Sequence, residues 1–184
     1  LNAILGFSEV MANQVLGPLE NATYRDYAND IHSSGKHLLS LINEILDLSR
    51  IEAGRYRLNE EPLSLGAIVA DCCRLMEMKA RGKDISFRLD VEPTLLRLFA
   101  DERAVRQITL NLLSNAIKFS PTGSSVHIRV GWTAGGGQYI AIKDNGPGIP
   151  DDELAGVLSA FGQGSIAIKS AEQGTGLGLP IVQG

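Results

Sequence analysis

The sequence predicts an α+β protein in which a helical hairpin precedes an α/β sandwich built on a mixed sheet. Residues 1–52 repeat apolar side chains at heptad spacing, with one interruption near Gly17, which indicates two successive helices. Residues 55–144 alternate strand-like and helical patterns, which indicates a sheet covered by helices. We therefore divide the chain into two domains, residues 1–54 and residues 55–184.

The hairpin comprises a predicted helix over residues 1–15 and a second helix from Thr23 to Glu52. The a and d positions of the first helix are Leu1, Ile4, Ser8, Met11 and Val15. The residues that widen the apolar stripe of the second helix beyond a two-helix seam are Leu39, Ile42 and Leu46. A stripe of this width favours a four-helix bundle made by two copies of the hairpin; the alternative is a pair of helices that cap a globular core. Because the first helix is much shorter than its partner, we expect that the chain begins inside it.

The second domain is predicted to alternate strands with two helices that lie on one face of the sheet. Ser64 is the expected N-cap of the first of these helices. The predicted strands are Tyr56–Asn59 and residues 85–91, 97–100, 124–132 and 138–144; the predicted helices are Ser64–Arg81 and residues 102–118. Three glycines at 135–137 predict a turn between the last two strands.

The helix predicted over residues 102–118 has polar side chains at one repeated position. Asn111, Asn115 and Lys118 fall at i, i+4 and i+7, so they lie along one helix face. Amide oxygens suit a Mg²⁺ ion that takes its other ligands from water and phosphates, and a lysine adds a compact positive charge. These residues predict contact with a metal-bound polyphosphate; a solvated polar stripe is the alternative.

Asp144 ends the last predicted strand and begins the turn sequence DNGPG. A carboxylate at this position accepts a hydrogen bond from the adenine amino group, whereas guanine presents a carbonyl oxygen there, so the residue favours ATP over GTP. Gly146 and Gly148 leave room for a base against the backbone. An ordinary turn that closes a strand is the alternative interpretation.

A third glycine-rich segment, GTGLGL, covers residues 174–179. No strand precedes it, so it does not fit a dinucleotide-binding βαβ unit. We interpret it as a loop that leads into a helix N-terminus, where free backbone amides hold phosphates. Residues 146–174 contain many glycines and one short apolar run, and this composition predicts a lid over the nucleotide. The alternative is an ordinary surface loop.

The order and spacing of these three segments resemble the N, G1 and G2 boxes of sensor histidine kinases, which belong to the GHKL ATPases together with DNA gyrase, MutL and Hsp90. Residues 160–164 resemble the F box between G1 and G2. The resemblance implies that ATP and Mg²⁺ bind here, with Asn115 as the metal ligand and Asp144 at adenine. It implies support of the metal and phosphates by Asn111 and Lys118. The nucleotide-binding residues expected from the resemblance are Asn111, Asn115, Lys118, Asp144, Gly146, Gly148, Phe161, Gly174, Thr175, Gly176, Leu177 and Gly178.

The hairpin also resembles this family, because the sequence HLLSLINEILDLSRIEAGRYRL is similar to the second helix of its dimerization and phosphotransfer domain. The resemblance implies a homodimer through the hairpin and a response regulator receiver domain as partner. The first residues resemble the continuation of the H box, which implies that the phosphoacceptor histidine lies six residues before Leu1. The three histidines of the chain, interpreted as ordinary helix or surface residues, are His32, His37 and His127.

The resemblance further implies that C-terminal elements of the GHKL-type domain are missing from this sequence. It predicts transfer of the ATP γ-phosphate to that histidine and then to an aspartate of the response regulator, as in a phosphorelay for signal transduction. Because the acceptor would lie outside the chain, we expect that the chain alone cannot phosphorylate itself. Two alternatives are a non-catalytic ATP-binding dimerization module and a clamp ATPase; the hairpin argues against the clamp ATPase.

Composition excludes other classes of function. The net charge is −4 and no basic patch alternates with aromatics, which argues against nucleic-acid binding. No apolar run reaches the roughly eighteen residues of a membrane span, so we expect no membrane contact by this segment and a cytoplasmic location, with an inner-membrane anchor in the parent protein left open. Cys72 and Cys73 are adjacent and are expected to be reduced thiols.

Overall fold

The computed structural model describes residues 1–162 and 175–183. The chain divides into two compact units, Leu1–Arg50 and Ile51–Gly184. The described elements are α1 (Asn2–Ala12), α2 (Ala22–Glu52), β1 (Glu61–Leu63), α3 (Leu65–Arg81), β2 (Ser86–Val91), β3 (Leu98–Ala100), α4 (Glu102–Phe119), β4 (Ser125–Trp132), β5 (Gln138–Lys143), α5 (Leu154–Val157) and α6 (Gly178–Gln183). Within the described ranges, no helix is both long enough and apolar enough to cross a bilayer.

The first helix ends earlier than predicted. Gln14 adopts a left-handed conformation with φ of 53°, and the Val15 amide donates to the Val10 carbonyl at 3.1 Å. The Gln14 amide also donates to the Met11 carbonyl at 3.1 Å, so the two bonds close α1 as a left-handed C-terminal cap. The expectation of a helix up to residue 15 is therefore wrong, because the chain turns at Gln14 before it reaches Gly17.

The hairpin helices approach each other at Gly35 of α2, where a Cβ atom would lie 2.9 Å from the Leu5 Cδ2 atom of α1. The buried Ser8 hydroxyl donates to the Leu5 carbonyl at 2.9 Å and lies 3.2 Å from Nδ1 of His32. Much of the apolar stripe of α2 stays exposed, including Ile31, Leu38, Ile42, Ile45 and Leu46. An exposed stripe of this kind is what a hairpin that pairs with a second copy would present.

The main sheet of the second unit has the strand order β2-β4-β5. β2 and β4 run parallel, with Ser86 opposite Ser125, whereas β4 and β5 run antiparallel, with His127 opposite Lys143. The turn predicted at residues 135–137 joins β4 to β5 and is closed by a 2.7 Å bond from the Thr133 amide to the Gly137 carbonyl. The sheet is therefore mixed, as the sequence predicts.

The first strand of this unit lies later than predicted. β1 pairs antiparallel with β3 in a separate two-stranded sheet. The strand expected over Tyr56–Asn59 is wrong, because this segment has no strand pairing and is instead held by a side chain. The Asn59 amide donates to Oδ2 of Asp101 at 2.8 Å, a contact across 42 positions that local patterns do not reveal.

The hydrophobic core lies between one face of the main sheet and the helices α3 and α4. Val126, Ile128 and Val130 of β4 are buried on this face, while His127 and Arg129 are exposed on the other, as the alternation of a strand requires. The helix residues buried in this core include Val69, Cys72, Leu113 and Ile117. This arrangement confirms the predicted layer of helices on one face of a mixed sheet.

Cys72 and Cys73 are free and buried. Desolvation raises the pKa of both thiols, that of Cys73 to about 11. Both thiols are therefore protonated and poorly nucleophilic at neutral pH, which suits a packing role.

The two long helices of the second unit begin differently. Ser64 occupies the predicted N-cap position of α3 with extended backbone angles, but its side chain makes no capping bond. Asp101 caps α4 fully, because Oδ1 accepts from the amides of Arg103 at 2.8 Å and Ala104 at 3.1 Å. Since Oδ2 also accepts from Asn59, one buried carboxylate fixes the start of α4 and the segment before β1.

We predict that Asp101→Ala destabilises the chain by about 1–2 kcal/mol, the usual cost of losing an N-cap. The amides of Asn59, Ala104 and Arg103 hold the pKa of Asp101 below its usual value. The contribution of the ionised Asp101 carboxylate to the free energy of unfolding is therefore complete above pH about 4. It is lost as the pH falls through the lowered pKa. Urea unfolding across the acid range measures both effects.

Two further variants distinguish the effect of the N-cap hydrogen bonds from the effect of the negative charge. Asp101→Asn should keep much of the stability, because asparagine is also a good N-cap, but should lose this part of the acid dependence. Asp152→Ala removes an exposed carboxylate and serves as the control. Equal unfolding free energies for Asp101→Ala and Asp152→Ala would contradict the anchoring role of Asp101.

Candidate functional site

The polar residues predicted on one helix face lie on α4. Asn111, Asn115 and Lys118 are half-buried, whereas Thr109, Leu113 and Ile117 point into the core. The apolar face of α4 therefore packs into the core, and the neighbouring face of the same helix carries the three polar side chains. Among residues 1–162 and 175–183, no hydrogen-bonding partner is found for the Asn115 amide group. Asn115 is therefore a partly covered amide that the described part of the chain does not hold by a side-chain hydrogen bond.

Asn111 joins α4 to the third glycine-rich segment. Its Nδ2 atom donates to the carbonyl of Gly178 at 3.3 Å. A Cβ atom at Gly178 would lie 3.7 Å from the Asn111 Cγ, so the two residues are in van der Waals contact. Pro180 and Ile181, which follow in α6, are buried. The N-box and G2-box segments, distant in sequence, are therefore neighbours.

The rest of the G2 segment is held by its own side chains. The Thr175 hydroxyl accepts from the Leu177 amide at 3.1 Å. Leu177 is fully buried, so its side chain anchors the segment and only its backbone is left for a ligand. Gly176 has φ of 70°, and a Cβ atom there would lie 2.8 Å from the Phe161 carbonyl carbon, which excludes a larger residue on both counts.

The F-box segment thus contacts the G2 segment. Phe161 itself is 60% exposed and has φ of 61°, uncommon for an aromatic residue. Gly162 packs directly against the carbonyl of Gly156, with no room for a side chain. The predicted site residue Gly174, the remainder of the F box and all of the predicted lid after Gly162 lie outside the described residues.

Asp144 lies in the loop after β5 and is exposed. Its Oδ1 atom accepts from the Gly146 amide at 2.7 Å, a local turn that fixes the carboxylate. A Cβ atom at Gly146 would lie 3.0 Å from the Phe119 carbonyl oxygen, so the space beside this glycine is filled by the end of α4. Gly148 has φ of 77°, and no described atom lies within 4 Å of its Cβ position. The G1 loop is thus seated on α4.

The C-terminal turn of α4 has a partner that the sequence patterns do not reveal. The Nζ atom of Lys83 donates to the carbonyls of Ile117 at 3.2 Å and Lys118 at 2.5 Å. The Nζ atom of Lys118 itself lies 5.0 Å from the ring centroid of Phe119. A lysine just after the end of α3 carries no motif, so only the tertiary arrangement identifies its contact with α4.

Comparison with known proteins identifies two families along the chain. Residues 1–54 match the "His Kinase A (phospho-acceptor) domain". Residues 100–184 match the "Histidine kinase-, DNA gyrase B-, and HSP90-like ATPase". The second match includes α4, the loop after β5 and α6, which are the elements that meet in the candidate site.

The chain is also similar to individual proteins over its full length. It is 44% identical over 186 residues to the non-motile and phage-resistance protein of Caulobacter vibrioides, covering 100% of this chain and 22% of that protein. It is 37% identical over 191 residues to the cell-division control histidine kinase PdhS of Brucella abortus, covering 100% of this chain and 18% of that kinase. The chain therefore spans about a fifth of these relatives.

Among solved structures, full-length ShkA in complex with AMPPNP has a TM-score of 0.82 and 32% sequence identity to this chain. The match covers 99% of this chain and 36% of ShkA. Two family matches in the order hairpin then ATPase domain, histidine kinase relatives and this structural similarity agree with one another. The chain therefore belongs to the sensor histidine kinases and carries their dimerization and ATPase-type catalytic domains.

Proposed function

We propose that this chain is the ATP-binding catalytic core of a two-component histidine kinase and that Mg-ATP binds beside α4. The observation that carries the proposal is the convergence of two glycine-rich segments on this helix. Asn111 donates to Gly178 of the G2 segment, and the Phe119 carbonyl occupies the space where a side chain at Gly146 of the G1 loop would lie. The polar face between these two contacts holds Asn115 and would lie along the polyphosphate.

Asp144 is the proposed partner of adenine. Its Oδ1 atom is engaged by the Gly146 amide, which fixes the orientation of the carboxylate. Its Oδ2 atom would accept from the adenine amino group. Guanine presents a carbonyl oxygen at that edge, so the same geometry would select ATP over GTP.

Asn115 is the proposed protein ligand of Mg²⁺. In the part of the chain that the structure describes, no three His, Cys, Asp or Glu side chains form a group that could hold a metal alone. A neutral amide that makes no hydrogen bond to the described residues suits a metal that takes its other ligands from phosphates and water. Mg²⁺ would neutralise the charge that develops during phosphoryl transfer.

The phosphates would lie between α4 and the G2 segment. Lys118 would supply positive charge, and the backbone of Gly176 to Gly178 would approach the phosphate oxygens closely. Asn111 would support this segment through its bond to the Gly178 carbonyl. Phe161 would border the site through its contact with Gly176. Gly174 lies outside the described residues and stays a prediction.

We assign the dimerization role to residues 1–54, whose exposed apolar stripe would pair with a second copy in a homodimer. The phosphoryl group would pass from ATP to a histidine upstream of Leu1, and then to a receiver-domain aspartate of a response regulator. His32 is a poor acceptor candidate, because its Nδ1 atom lies 3.2 Å from both the Ser8 hydroxyl and the Leu5 carbonyl inside the hairpin. Because both domains would act on a soluble regulator, we propose a cytoplasmic location for this segment.

We predict that Asp144→Ala weakens ATP binding by roughly 1.5–3 kcal/mol, the value of a hydrogen bond to a charged group. Asp144→Asn keeps an oxygen for the Gly146 amide but removes the charge, so it should lower the preference for ATP over GTP while the loop stays folded. Calorimetric titration with both nucleotides measures the change. Asp151→Ala, in the same exposed region, is the control. Unchanged ATP affinity in Asp144→Ala would place adenine elsewhere.

We predict that Asn115→Ala loses most of the dependence of ATP affinity on Mg²⁺, because the protein ligand is removed while the phosphate contacts remain. ATP titrations with Mg²⁺ and with a chelator give the ratio of affinities for each variant. Ser114→Ala is the matched control, since Ser114 lies on the same turn of α4 and accepts from Lys79. A ratio in Asn115→Ala equal to that of the unchanged chain would rule out direct metal ligation.

We predict that the chain does not label itself with γ-³²P ATP but labels a longer hairpin of the parent protein that contains the H-box histidine. The label should be acid-labile, as a phosphoramidate is, and should be absent when that histidine is replaced by glutamine. Asn115→Ala in the catalytic chain should also abolish labelling. Acid-labile label on His32, His37 or His127 of the chain alone would contradict the assignment of the acceptor.

A further inference from the structure

The loop between α3 and β2 contacts the C-terminal end of α4. Lys83, in the loop between α3 and β2, donates from Nζ to the carbonyls of Ile117 and Lys118. These carbonyls belong to the last turn of α4, whose carbonyl groups lack partners within the helix. A lysine at this position satisfies them and offsets the partial negative charge of the helix end.

The backbone of Lys83 is itself fixed from two sides. Its amide donates to the Ala80 carbonyl at 3.0 Å, so the loop is tied to the end of α3. Its carbonyl accepts from the Gly123 amide at 3.4 Å, which ties it to the loop after α4. Next to it, the Ser86 amide donates to the Ser124 carbonyl at 3.1 Å where β2 joins β4. The ammonium group therefore reaches α4 from a backbone that hydrogen bonds hold on both sides.

The turn that Lys83 holds carries much of the proposed nucleotide site. It follows Asn115 directly, includes Lys118, and ends at the Phe119 carbonyl that contacts Gly146. A change in the conformation of this turn would move Lys118, the proposed phosphate contact, together with the Phe119 carbonyl against which the G1 loop packs. Uncovered carbonyls would also add negative charge close to the polyphosphate.

We infer that Lys83 is a positioning residue of the nucleotide site, which holds the last turn of α4 in the geometry that receives Mg-ATP. The inference rests on the proposed function. Lys83 does not touch the nucleotide in the proposed site; it acts through Lys118 and the Phe119 carbonyl. Its effect should therefore be larger on the phosphate part of the ligand than on the base.

The chain offers a matched control for this inference. Lys79, at the end of α3, also reaches α4, but its Nζ atom donates to the Ser114 hydroxyl at 3.1 Å on the exposed surface. Lys79→Met and Lys83→Met each remove one lysine that bridges α3 or its loop to α4. Only Lys83→Met uncovers the carbonyls of the last turn.

The experiment measures the affinity of each variant for Mg-ATP and, by competition, for adenosine. Lys83→Met should weaken Mg-ATP by roughly tenfold, the factor for about 1.4 kcal/mol of lost bonding, and should weaken adenosine less. Lys83→Arg should restore binding, because a guanidinium also donates to terminal helix carbonyls. Lys79→Met should bind both ligands as the unchanged chain does. Amide hydrogen exchange should rise at Ser120, whose amide closes the helix on the Ala116 carbonyl, in Lys83→Met alone.

The outcomes separate the inference from the proposed function. Unchanged Mg-ATP affinity in Lys83→Met, with normal binding by the parent chain, would overturn the role of Lys83 alone. Equal losses for Mg-ATP and adenosine, without rescue by arginine, would reduce Lys83 to a general stabilising residue and overturn the inference as well. Absence of Mg-ATP binding by the parent chain would refute the proposed function, and the inference would fall with it.

Discussion

The attachment of α4 at both ends is the constraint on which the candidate site depends. At the N-terminus, the Asp101 carboxylate binds the first free amides of the helix and the Asn59 amide. At the C-terminus, Lys83 binds the last carbonyls. Because Leu113 and Ile117 are also buried against the sheet, the helix cannot rotate without breaking the core. The polar face of α4 therefore has a fixed orientation relative to the sheet.

Around this helix, glycines allow two loops to come close. At Gly146 the available volume is taken by the Phe119 carbonyl, and at Gly176 by the backbone of Phe161 and Gly162. The motif glycines thus serve contacts inside the protein, and in the proposed site they would also let a ligand approach the backbone. These close approaches allow segments that are separated by many residues in the sequence to meet beside α4.

The fold class, the order of the main elements and the polar face of α4 could be predicted from the sequence, because each depends on local periodicity. The strand expected at Tyr56–Asn59 and the end of α1 could not. The Tyr56–Asn59 segment is held by a hydrogen bond from Asn59 to Asp101, 42 positions away. The end of α1 is set by the left-handed backbone of Gln14, a conformation that glycine usually adopts at helix ends. In the site, residue types in the motifs indicated the ligand chemistry. The bond from Asn111 to Gly178 and the contact from Lys83 to α4 depend on tertiary packing and have no sequence signal.

Nuclear magnetic resonance of the chain titrated with Mg-AMPPNP would show whether the nucleotide lies along the polar face of α4. The largest shifts should fall on the Asn115 side-chain amide and on the backbone of Asp144 to Gly148 and Gly176 to Gly178. With Mn²⁺ in place of Mg²⁺, the Asn115 amide signal should broaden first. Shifts concentrated on the exposed face of β4 or on the hairpin, with Asn115 unaffected, would contradict binding of Mg-ATP beside α4.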